Sequence, residues 1–128
     1  MDKDWKKVVL DQEATKEERI QAAFRIEDAK DDESIHALGR ALETDLSPIV
    51  RHECAFSLGE TAHPAIAAQY LMKAVETDPS IFVRHEAILA LGTLGKKEYI
   101  SFIKKHLKDP ELEMQESAEI AIQRIESK

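Results

Sequence analysis

The sequence holds a single cysteine, Cys54, so no intrachain disulfide can form and a reducing, cytoplasmic setting is expected. Only 4 glycines and 4 prolines occur in 128 residues, which leaves little room for long loops. Aromatic residues make up 5%, so apolar area must come from Leu, Ile, Val and Ala, the usual filling of packed helices. Positive charge is in deficit. With 18 Lys and Arg against 25 Asp and Glu the net charge is −7, which argues against a nucleic acid partner and suits a cationic one. No apolar run approaches the roughly 18 residues of a membrane span. The opening Met1-Asp2-Lys3-Asp4-Trp5-Lys6-Lys7 leads into no signal-peptide core, so no membrane anchor is expected. A hydrophobic fraction of 43% is enough for one folded domain spanning residues 1–128.

What the chain does have is a repeat. Val50-Arg51-His52-Glu53-Cys54-Ala55-Phe56-Ser57-Leu58-Gly59 returns as Val83-Arg84-His85-Glu86-Ala87-Ile88-Leu89-Ala90-Leu91-Gly92, an offset of 33 residues. The lead-ins Glu43-Thr44-Asp45 and Glu76-Thr77-Asp78 keep the same offset. A fixed period of this size is the mark of a solenoid of helix pairs, each unable to bury its apolar face alone. Weaker copies flank the pair. Arg19-Ile20-Gln21-Ala22-Ala23-Phe24 aligns on one side, with Ile20 and Gln21 at the His-Glu positions. Met114-Gln115-Glu116-Ser117-Ala118 aligns on the other, with Glu116 and Ser117 there, so both outer repeats read as caps.

Eight short helices are expected. The first covers Asp4 to Leu10; Thr15 and Glu18 form a capping box for the second, with apolar Ile20, Ala23, Phe24 and Ala29 at helical spacing. The third runs from about Glu33 to Thr44. Ser47 and Pro48 open the fourth, Pro64 the fifth, and Asp78-Pro79-Ser80 the sixth. The seventh spans about Lys96 to Leu107, and Asp109-Pro110 opens the eighth. Short turns make neighbours antiparallel. The expected fold is all-α, an α-solenoid of about four helical hairpins.

At about 100° per residue, Val83, Ala87, Ala90, Leu91 and Leu94 form the buried stripe, and His85 and Glu86 leave it on one side. Helices pack about 8–10 Å apart, so His52 and Glu53 should share a space with His85 and Glu86. Two imidazoles with one or two carboxylates and open positions, and no thiolate besides Cys54, which is read as a small core residue, suit non-haem iron better than structural zinc. Each ligating imidazole would need a partner for its second nitrogen. Gly59 and Gly92 follow their histidines by two turns; they either permit close packing or leave room for a ligand. Arg51 and Arg84 are expected to tie repeats together, and His36, His63 and His106 to lie at the surface.

With these motifs the chain resembles deoxyhypusine hydroxylase (deoxyhypusine monooxygenase), a family of HEAT-repeat enzymes with a dinuclear iron centre. Members have two similar halves of four helical hairpins, with His-Glu motifs in the two central repeats of each half. The tail from Asp109 to Glu126 is also similar to the end of a family half. The resemblance implies that His52, Glu53, His85 and Glu86 are iron-site residues; Gly59 and Gly92, in line with the histidines on their helices, are the candidate substrate-binding positions. It further implies a cationic substrate, the deoxyhypusine side chain of a translation factor. Four His-Glu motifs are expected of such a site and two are present, so a homodimer sharing the iron is expected to complete it. The rival expectation is a HEAT-repeat scaffold that docks a protein partner without catalysis.

Overall fold

Helices start where the sequence supplies caps. In the computed structural model, which describes residues 3–128, the Thr15 side chain accepts the Glu18 amide and the Glu18 side chain accepts the Thr15 amide, completing the capping box. Asp31 and Ser47 accept the amides of Ser34 and Val50 in the same way, and Pro48 and Pro64 sit in first turns where no N–H is required. The elements are α1 (Trp5–Leu10), α2 (Lys16–Ile26), α3 (Asp32–Thr44), α4 (Pro48–Gly59), α5 (Pro64–Thr77), α6 (Ile81–Leu94), α7 (Ile100–Lys104) and α8 (Leu112–Glu126). No strand occurs among the described residues. Helix α6 stops at Gly95, whose φ of 78° is the left-handed cap that only glycine adopts cheaply.

The helices pair in order as α1/α2, α3/α4, α5/α6 and α7/α8, the expected hairpins. Even-numbered helices stack in one layer, α2 on α4 on α6 on α8, and α1, α3 and α5 stack in the other. A single apolar cluster runs from Val9 to Ile125 between the layers, centred on Leu38, Leu58, Leu71, Ile88, Leu91 and Met114. Burying each such side chain is worth about 1.5–3 kcal/mol.

Polar bonds fix the step from one repeat to the next. Arg19 donates from Nε and Nη2 to Asp45 at 2.8 and 3.1 Å, and Arg51 donates likewise to Asp78 at 2.9 and 3.3 Å. Arg84 continues the series more loosely, 3.8 Å from Asp109. Each aspartate also accepts the amide two residues on, at 2.9 Å in Asp45–Ser47, Asp78–Ser80 and Asp109–Glu111. The third guanidinium nitrogen of Arg51 bonds the Asp45 carbonyl, linking successive rungs. The two arginines of the repeat motif thus make the inter-repeat contacts expected of them.

Three expectations are corrected. The seventh helix is broken: a 3₁₀ turn at Lys97–Tyr99 and another at Lys105–Lys108 bracket a five-residue α7. Tyr99 is buried there and donates its hydroxyl to the Pro64 carbonyl at 3.2 Å, which pins the start of the segment. The eighth helix begins at Leu112 rather than Asp109, because Asp109 is occupied with the Glu111 amide and His106. Phe24, placed at helical spacing with the core residues of α2, is 45% exposed; its one-residue offset from Ala23 turns it out of the layer.

The Asp45 carboxylate is wholly buried. Burial alone would raise its pKa, but hydrogen bonds from Arg19, Gln12 and the Ser47 amide outweigh burial and hold it below the ordinary range. Such a group contributes stability above its unfolded pKa, about 4, and loses that contribution as pH falls through the lower folded value. Asp45→Ala, which strands the buried Arg19 charge, is expected to cost about 3–5 kcal/mol in urea unfolding at neutral pH. Below about pH 4 the native protein should lose stability more steeply than Asp45→Asn.

Candidate metal centre

The second layer of the stack carries the His-Glu motifs side by side. Arg51 and Arg84 point to one flank of their helices, toward the aspartate ladder, and Val50 and Val83 to the core. The next two residues, one turn-fraction on, emerge at the margin between core and solvent, and all four are partly buried.

His52 is flanked by carboxylates on both ring nitrogens. Nδ1 lies 3.5 Å from Glu53 Oε1 on its own helix, and Nε2 lies 3.3 Å from Glu86 Oε1 on α6. A neutral imidazole carries one proton, so one of these nitrogens turns a lone pair toward an anion. A cation bound beside the ring would relieve that repulsion. Glu86 has the more buried carboxylate of the two. Burial pushes its pKa above the ordinary carboxylate range, against the pull of His52 and His85, while Glu53 adds to the rise.

His85 is held differently. Its Nδ1 is hydrogen-bonded to Ser117 Oγ of α8, and Ser117 in turn donates to the Glu113 carbonyl at 2.6 Å. The structure therefore brings Glu53 and Glu86 onto the two ring nitrogens of His52, while His85, next to Glu86 on α6, turns its Nδ1 to α8. Because Glu53 and Glu86 sit on opposite nitrogens of His52, the contacts form a chain through the ring. Among the described residues, no group of three or more His, Cys, Asp or Glu surrounds a common point as a metal cage. The donor types fit iron or a similar N/O-liganded ion; one chain does not enclose it.

The glycines do not border this space. A Cβ on Gly59 would stand 2.9 Å from Ala90 Cβ, and one on Gly92 would stand 2.7 Å from Ala121 Cα. The room they leave is filled by the next helix, so of the two expectations close packing is the one realised and the ligand-facing one is corrected. Cys54 is buried, as expected of a core residue, and its thiol pKa is raised by that burial. The remaining histidines are less exposed than expected. His36 Nδ1 is 2.7 Å from the Tyr70 hydroxyl, and His63 lies 3.5 Å from Asp32. His106 packs on Phe102 and approaches Asp109 at 3.4 Å, with its Nε2 buried and unpartnered. His36 and His63 thus meet residues of an adjacent repeat, and His106 meets residues of its own segment.

Two features of the site are not evident from the sequence. Ser117 stands at the register of Glu86, where repeat comparison indicates a missing ligand and the fold supplies a partner. An apolar rim also lines the site: Ile49 and Phe82, 59% and 72% exposed, enclose with Pro48, His52 and Ser80 a cleft of about 250 Å³. A second cleft of about 150 Å³ lies between Ile81, Phe82, His85 and Glu113.

A stack of helical hairpins tied by an arginine–aspartate ladder is the architecture of HEAT repeats, and a family model for HEAT repeats matches residues 35–123. The chain belongs to the HEAT-repeat family. More particularly, it is similar to deoxyhypusine hydroxylase. It is 35% identical over 112 residues to that enzyme from Eremothecium gossypii and 31% identical over 118 residues to the one from Danio rerio. These alignments cover 88% and 92% of this chain but only 34% and 38% of the relatives. The solved structure of human deoxyhypusine hydroxylase in complex with glycerol superimposes with a TM-score of 0.88 at 30% identity, over 97% of this chain and 43% of that one. The chain thus spans well under half the length of the relatives it matches.

The packing role of the glycines has a direct check. Alanine in an exposed helix interior is worth about 1 kcal/mol over glycine, so Gly92→Ala would stabilise the protein if the position faced open space. Contact with the Ala121 backbone predicts instead a net loss of about 1–2 kcal/mol in thermal or urea unfolding.

Proposed function

We propose that this chain is a cytoplasmic, iron-binding oxygenase subunit of the deoxyhypusine hydroxylase type, completing its centre by pairing with a second copy. The observation that carries the reading is His52 held between two carboxylates, Glu53 and the more buried Glu86, with His85 close by. The similarity to deoxyhypusine hydroxylase over nearly the whole chain supports it.

In this reading His52, Glu53, His85 and Glu86 hold the metal, which when bound supplies the oxygen-activating chemistry for hydroxylating a substrate carbon. The protein's own contributions follow from where these groups sit. His52 and Glu86 come from successive helices, so the ladder that fixes helix spacing also fixes donor spacing. Once covered by a second copy, Ile49 and Phe82 would close the site to water and strengthen its electrostatics. The site carboxylates and the net charge of −7 attract a cationic side chain, of the kind a deoxyhypusine-bearing translation factor presents. A two-fold pairing would set two imidazoles and two carboxylates from each copy around one dinuclear iron centre, with the exposed Phe82 and Ile49 buried in the isologous contact.

The rival is a scaffold that docks a protein on the same rim, favoured by the lack of a complete cage within one chain. Metal content measured together with particle mass, after anaerobic loading with ferrous iron, separates the two. The oxygenase reading expects a dimer with about two irons, metal lost in His52→Ala/His85→Ala with helicity retained, and conversion to a metal-poor monomer by Phe82→Asp. An iron-free monomer at every loading condition supports the scaffold.

A further inference from the structure

The two motif histidines are alike in sequence and unlike in what the next helix offers them. His52 of α4 reaches Glu86 of α6, and His85 of α6 reaches, at the equivalent register of α8, Ser117. Ser117 is completely buried, so its hydroxyl cannot turn to water. It has one proton to give and two neighbours within hydrogen-bond reach, the Glu113 carbonyl and His85 Nδ1. A carbonyl oxygen only accepts. Both contacts are satisfied in one way: the hydroxyl donates to Glu113, and His85 Nδ1–H donates to the hydroxyl oxygen. A neutral imidazole with its proton on Nδ1 keeps its lone pair on Nε2.

We propose that Ser117 is a positioning residue that fixes the tautomer and ring orientation of His85, leaving Nε2 as the atom available to a metal ion. The proposal rests on the metal-site reading above for its functional meaning, but the tautomer is a property of the metal-free protein. An uncharged partner suits this role where a carboxylate would not. The serine holds the ring without adding a negative charge beside Glu86. Ser117 is thus the outer partner that a ligating imidazole requires, supplied by the last repeat.

Long-range ¹H–¹⁵N correlation spectra of the metal-free protein, recorded at about pH 8 where an ordinary imidazole is neutral, report which ring nitrogen bears the proton. Wild type should show His85 protonated on Nδ1. Ser117→Ala should convert it to a mixture rich in Nε2–H, and Ser117→Thr, which keeps the hydroxyl, should restore the native pattern. In anaerobic ferrous titrations Ser117→Ala should bind about 10–100-fold more weakly, with wild-type circular dichroism. A His85 protonated on Nε2 in wild type, or a tautomer indifferent to Ser117→Ala, overturns the proposal. Wild type that binds no iron yet shows the Ser117-dependent Nδ1–H tautomer upholds the serine's hold on the ring and removes only the metal reading.

Discussion

The bidentate pairing of an arginine on one repeat with an aspartate in the following turn is the constraint on which the structure depends. Apolar packing alone would let one hairpin slide or rotate on the next at modest cost, since leucine and alanine surfaces are non-directional. A fork of two N–H donors on a carboxylate that also caps the turn beyond it has one geometry. Arg19–Asp45 and Arg51–Asp78 therefore act as register pins, and because they are buried their loss is felt by the whole stack. Residues immediately after the pinned arginine inherit its placement, which is why His52 meets Glu86 across two helices.

Close helix approach is the second half of the same design. Gly59 against Ala90 and Gly92 against Ala121 remove the side chains that would hold α4, α6 and α8 apart. The ladder sets where along its neighbour each helix lies, and the glycines set how near. Together they bring long polar side chains at the layer's edge within reach of one another without any loop to position them.

Much of this was legible in the sequence because the signals are local or periodic. The 33-residue echo of Val-Arg-His-Glu through Leu-Gly fixed the architecture, and Thr15, Ser47 and Pro64 marked helix starts through short-range hydrogen-bond chemistry. The wheel angles correctly took His52, Glu53, His85 and Glu86 off the core stripe. They could not say which nitrogen faces which oxygen, since that depends on the rise between helices as well as rotation about one axis. Comparing the repeats as columns exposed Ser117 at the Glu86 register, yet only the fold shows that each column contacts the preceding one. The breaks around α7, the outward turn of Phe24 and the His36–Tyr70 pair arise from end effects and from packing of neighbouring helices, which no repeat alignment encodes.

The contact from each motif histidine to the following helix makes the stack a one-way series governed by a fencepost count. Two histidines need three helices, because the last post supplies an acceptor and requires none in return. The C-terminal hairpin, with Glu116 and Ser117 at the motif positions in place of a His-Glu pair, is thereby indispensable to the motif before it. Shortening the solenoid by that hairpin would orphan His85 while leaving His52 fully furnished, and lengthening it by a further motif would demand another terminal serine or its like.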